Sequence, residues 1–201
     1  TELLLLGPHA ARSKSSDYVA SLDGVSVSMC TAVKNLGVIF DSSLSFKDYV
    51  NNITKIEFFH LRNMINIAKI RNMMSLQDAE KLVHAFVTSR LDYCNSLLSG
   101  CASKCINKLQ LVQNAAARVL TRSRKYDHIT PVLISLHWLP IKSRIDYKIL
   151  LLTYKALNGL APQYLSELLY QYDPPRLLRS KGAGYLLVPQ IMKTTVGGRS
   201  F

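Results

Sequence analysis

Acid is what the second half of this chain lacks. Residues 101–201 hold 4 Asp and Glu against 15 Lys and Arg, whereas residues 1–100 hold 9 against 10. Nearly all of the net charge of +12 therefore sits in the second half. Such asymmetry excludes a cationic partner for that half. It points to a polyanion, with nucleic acid ahead of an anionic membrane surface. Long apolar runs are missing as well. Stretches such as 3–6 and 149–152 fall far short of the roughly 20 residues a spanning helix needs, so no membrane span is expected. The opening TELLLLG begins with an acid and a run too short for a secretory signal. Four cysteines in 201 residues make no disulfide framework. The expected setting is intracellular, nucleus or cytoplasm, and not secreted. Neither G-x4-G-K-[ST] nor G-x-G-x-x-G occurs, which removes the common phosphate-cradling loops. The chain starts on Thr and ends Arg-Ser-Phe, and both ends read as cut.

What remains is ample for a core, since 48% of the residues are hydrophobic. Residues 1–46 read as β: an apolar strand at 2–6 and two strands flanking the turn pair Asp23-Gly24, at 18–22 and 25–29. A further strand lies at 35–40, where Leu36, Val38 and Phe40 alternate. From Lys47 the apolar period becomes helical, through Tyr49, Ile53, Ile56, Leu61, Met64, Ile65 and Ala68. Ser75 reads as an N-cap with Asp78 three residues on, opening a second helix towards Leu98 that Gly100 stops. Ser103 opens a third, Thr130-Pro131 a fourth, Leu139-Pro140 a fifth that Gly159 ends, and Pro162 a sixth reaching about Tyr170. Residues 185–188 offer a last short strand. The expected fold is α+β, mainly α: a small antiparallel β-sheet at 1–46, a helical bundle-like body at 47–172, and a basic, loosely ordered tail at 173–201.

Three segments, in order along the chain, carry a family resemblance. They are TELLLLGP at 1–8, KNLGVIFDSSLSFKDYVNNI at 34–53, and a long run of three pieces. That run goes from LDYCNSLLSG at 91–100 through LVQNAAARVLTRSRKYDHITPVL at 111–133 to LHWLPIKSRIDYKILLLTYKALNGLAPQYLSELL at 136–169. The chain resembles the C-terminal part of reverse transcriptases of non-LTR (LINE-type) retrotransposons: palm edge, thumb and the helical region beyond. The resemblance implies a primer-grip-like role for Asn35, Leu36, Gly37 and Val38, with Gly37 letting a nucleic-acid backbone approach closely. It also implies RNA, DNA or their hybrid as partner, with the rest of the polymerase in cis in any full-length form. Nucleotide transfer needs two metal ions held by carboxylates, and no Asp-Asp pair occurs in 201 residues. The magnesium site of the family would then lie upstream. No cofactor is expected in this chain, and no enzyme activity is expected of it alone. The alternatives are a non-enzymatic helical interaction module and a non-functional relic of a decayed element.

Three basic stripes are the candidate binding residues. At about 100° per residue, Lys47, Lys55, Arg62 and Lys69 share an arc of about 80°. Lys104, Lys108, Arg118 and Arg122 share another, with Lys125 just beyond it, and Arg144, Lys148 and Lys155 share about 40°. A stripe alone is what any amphipathic helix shows to water, with acids such as Glu57 mixed in. The span 104–125 contains no acid, and that tilts it towards tracking a phosphate backbone. Tyr126, His137, Trp138 and Tyr147 lie among these bases and offer stacking, although Trp138 between apolar neighbours reads as core. Cys94, Cys101 and Cys105 with His84 lack the C-x2-C knuckle of zinc sites and read as free thiols, so no metal is expected.

Overall fold

Short strands lead into long helices because turn-forming residues crowd the first forty positions. The computed structural model describes residues 2–7, 20–22, 24–68, 75–173, 176 and 184–188. Its strands are β1 (Leu3–Leu4), β2 (Ala20–Leu22), β3 (Val25–Val27), β4 (Met29–Cys30), β5 (Ala32–Asn35) and β6 (Val38–Asp41). Rather than one antiparallel sheet, they make three two-stranded ladders: β2 with β3 and β5 with β6 antiparallel, β1 with β4 parallel. The expected single sheet fails because the extended run 25–35 changes partner twice, breaking at Ser28 and Thr31. Two antiparallel hairpins beside a helical body keep the α+β, mainly α class.

The expected strand at 35–40 is corrected too. Leu36 and Gly37 form a two-residue hairpin turn with φ of 47° and 86°, closed by the pair Asn35↔Val38. Both central residues need positive φ in such a turn. Leu is a poor choice for that position, and this is why sequence pattern ran the strand through it. Past β6, Asp41 redirects the chain. Its carboxylate accepts from the Phe46 and Ser45 backbone N–H groups at 2.8 and 3.0 Å and from the Ser43 hydroxyl at 2.5 Å. The next residue begins the longest helix.

The helices are α1 (Lys47–Ala68), α2 (Leu76–Val83), α3 (Ser89–Asp92), α4 (Ser103–Thr121), α5 (Ile129–Ser135), α6 (Ile141–Leu157) and α7 (Gln163–Ser166). Ser75 caps α2 by accepting from Asp78 N, as expected. The second expected helix does not run unbroken to Leu98. A π-helical turn, His84–Thr88, joins α2 to α3. Cys94, at φ 51°, then ends α3 before a 3-10 turn, Asn95–Leu98. The sixth expected helix shrinks to α7, and 185–188 contributes only a bridge, Gln171↔Leu186. The tail beyond 173 lies mostly outside the described residues.

Two compact units result, residues 1–144 and 145–201, the division falling within α6. In the first unit, Tyr49, Val50, Ile53 and Leu61 of α1, Val83, Val87 and Leu91 of the α2–π–α3 run, and Leu109, Val112, Ala116 and Leu120 of α4 are all buried. Helix α1 packs on α4. Losing one such side chain costs roughly 2–5 kcal/mol. A polar network fixes the connection from α5 to α6: Gln113 donates to the Leu139 carbonyl at 2.8 Å, and Gln110 accepts from Ile141 N at 2.9 Å while donating to Gln113. In the second unit, Gly159 at φ 68° closes α6, and Leu160 N reaches back to the Lys155 carbonyl at 2.8 Å. Glycine takes this left-handed position without strain and stops a helix there.

Candidate nucleic-acid interface

The basic residues fall into three situations. Lys47, Lys55 and Arg62 on α1, Lys104 on α4, and Lys148 and Lys155 on α6 are exposed, and no hydrogen bond or ion pair of their side chains is seen among the described residues. Lys69 lies outside the described residues. Lys108, Arg118 and Arg144 are partly buried and engaged. Lys108 Nζ donates to Asn51 Oδ1 at 2.6 Å. Arg118 reaches the Asp127 carbonyl at 3.4 Å. Arg144 pairs with Asp92 at 2.8 Å and donates to the Leu139 carbonyl at 2.9 Å. Arg122, at φ 58°, caps the end of α4, and Lys125 stands 5.8 Å over the Tyr126 ring.

One hydrogen bond brings two stripes together. Asn51 sits one turn from both Lys47 and Lys55 on α1, and Lys108 sits one turn from Lys104 on α4. The Lys108–Asn51 bond therefore sets the exposed Lys47, Lys55 and Lys104 around a single crossing of two packed helices. Helix α4 contains no acid from end to end. Helix α1 has two, and one of them is withdrawn from the surface: Glu57 is 0% exposed. This corrects the expectation that Glu57 belongs to a wet, mixed-charge face. It lies one turn from Ile53 and one from Leu61, on the buried column of the helix. Asp48 in the first turn is the acid left on the α1 surface.

Burial pushes the Glu57 carboxyl up to about 8, against a weaker downward pull from the Arg90 guanidinium. Neither carboxyl oxygen has a hydrogen-bond partner among the described residues. At neutral pH the group is thus held mostly as the uncharged acid. The same region pushes the Tyr49 phenol up to about 12, through burial and then through Cys94, Tyr93 and Glu57. For Asp41, burial acts upward, but hydrogen bonds from Ser43, Ser45 and Phe46 outweigh it and bring the carboxyl down to about 2.

The primer-grip-like residues divide at the hairpin tip. Leu36 is 83% exposed, Asn35 and Gly37 are exposed, and Val38 is buried. The Tyr93 hydroxyl donates to the Leu36 carbonyl at 2.5 Å and tethers the tip to the loop after α3. Among the residues named for stacking, Trp138 is buried with His84 edge-on at 6.1 Å, while Tyr126, His137 and Tyr147 are exposed. The four cysteines are free thiols, each half-buried. Among the described residues no group of three or more His, Cys, Asp or Glu could hold a metal ion, and no helix is long and apolar enough to cross a membrane.

Sequence reasoning missed the exposed pair Phe58 and Phe59, which it passed over as ordinary apolar residues of α1. The signal was available, since both fall outside the arc set by Ile53 and Leu61. No family model, no curated protein and no solved structure matches this chain.

Proposed function

We propose that this chain is the non-catalytic C-terminal portion of a LINE-type reverse transcriptase (an RNA-directed DNA polymerase) and that it grips the backbone of RNA, DNA or their hybrid. The observation that carries the binding reading is the crossing of α1 and α4. There Lys47, Lys55 and Lys104 surround the Lys108–Asn51 bond, on helices whose surface keeps Asp48 as its acid. Exposed ammonium groups at this spacing neutralise phosphates without reading bases, so binding is sequence-tolerant. The ordered sequence resemblance supports the polymerase ancestry. Without paired carboxylates the chain alone transfers no nucleotide, and the metal-binding centre belongs to a part that precedes it. The site of action is nucleus or cytoplasm.

The test is fluorescence anisotropy with a labelled RNA–DNA hybrid, titrated with salt. Affinity should fall linearly with log salt, and changing Lys47, Lys55 and Lys104 together to Gln should reduce the slope by about 2–3. An unchanged slope overturns the α1–α4 crossing as the contact. A second reading, a helical interaction module, has one observation in its favour. Tyr147, Leu150, Tyr154 and Leu157 form an exposed apolar stripe on α6, within an arc of about 80°. Partner capture that resists high salt would favour it.

A further inference from the structure

An amphipathic helix on a water-facing side normally shows polar residues, yet the outer face of α1 shows two adjacent phenylalanines. Phe58 is 39% exposed and Phe59 60% exposed. Lys55 precedes them by three and four residues, and Arg62 follows by four and three. Each ring is therefore one helical turn from both cations. Phe59 does not stand alone. Its ring meets His60 edge-on at 5.8 Å, and His60 stacks on Phe86 at 5.2 Å with an interplanar angle of 25°. Phe86 comes from the π-helical turn and is 41% exposed. That turn buries its neighbours Val87 and Thr88 while leaving Phe86 at the surface. The result is a row of three rings on two helices, with accessible faces at both ends and a cation one turn above and one below.

We propose that Phe58, Phe59 and the His60–Phe86 pair form a stacking platform for the unpaired bases of a single-stranded nucleic acid, with Lys55 and Arg62 holding the flanking phosphates. The proposal rests on the reading that this side of α1 meets nucleic acid, and it names the strand state that meets it. Base faces stack on aromatic rings whatever their sequence, and an adjacent cation pairs with the phosphate between successive bases. A duplex hides its base faces and offers such rings nothing. An apolar protein partner would use the rings but leave the two cations without counter-charge, so charge complementarity favours the polynucleotide.

The experiment compares a labelled oligodeoxythymidine with a duplex of equal length, by anisotropy at one fixed salt concentration. Phe59→Ala should weaken single-strand binding about tenfold and duplex binding less than twofold. Phe59→Trp, which keeps the ring, should retain the single-strand affinity, with quenching of the new indole as the oligonucleotide binds. Equal loss on both ligands, or no loss on either, overturns the platform and assigns the exposed rings elsewhere. Wild-type binding to duplex but not to single strand overturns the platform while leaving the backbone reading intact. Binding to neither overturns both.

Discussion

Glu57 makes stability fall as pH rises, and the size of the effect follows from its position. The carboxyl is fully buried on α1, unbonded, and pushed from its ordinary 4.5 up to about 8. Below 4.5 both folded and unfolded chains hold the proton, and the group is neutral to stability. Between 4.5 and about 8 the unfolded chain releases the proton and the folded chain keeps it. Stability then drops by about 1.4 kcal/mol for each pH unit. Across the interval this amounts to roughly 5 kcal/mol, a large fraction of what a domain of this size possesses. Glu57→Gln removes the titration and keeps the shape. Urea unfolding followed through Trp138, the one tryptophan of the chain, gives stability at pH 5 to 8.5 for both forms. Taking the difference between variant and wild type cancels the histidines that titrate in the same range. The variant should match the wild type within about 1 kcal/mol at pH 5 and exceed it by roughly 4 kcal/mol at pH 8. A difference that stays flat with pH refutes the reasoning and means that Glu57 reaches water or a partner in solution.

Two further outcomes follow from the hairpin and the turn after it. The Asp41 carboxyl, held down at about 2 against an ordinary 3.8, contributes stability that is fully present above 3.8 and lost as pH falls through about 2. Asp41→Ala should cost about 2 kcal/mol at pH 7 and nothing below pH 2, as read by denaturant midpoints. Leu36→Asn should raise stability by about 0.5–1 kcal/mol, because Asn tolerates positive φ and the Tyr93 bond is to the backbone carbonyl. A lower melting temperature would refute the strained-turn account.

Local chemistry was legible in the sequence, and long-range placement was not. The Asp23-Gly24 turn, the Ser75 cap and the Gly159 stop each depend on a few adjacent residues with one favoured backbone state, and each is found. The break at Cys94 was hidden because cysteine carries no turn signal, and the Leu36–Gly37 turn was hidden behind an apolar alternation that suits a strand. The parallel pairing of β1 with β4 joins residues 26 positions apart, beyond any periodicity. The basic arcs were visible one helix at a time. Their meeting through Asn51 and Lys108 depends on how α1 crosses α4, which no single helix encodes. Glu57 stood in plain view between Ile53 and Leu61, and the assumption that acids face water concealed it.

The π-helical turn at 84–88 works as a phase shifter. Ser89 N reaches back five residues to the His84 carbonyl instead of four, so the chain carries one residue more than an α-helix over the same rise. Deleting an exposed residue there, such as Ala85, would restore an even winding and turn everything downstream by about 100°. Leu91 would rotate away from the core and Asp92 away from Arg144. The side chains before and after this turn are thus held to different rotational settings by a single surplus residue. Insertions or deletions in these five positions would therefore reach well beyond the turn itself.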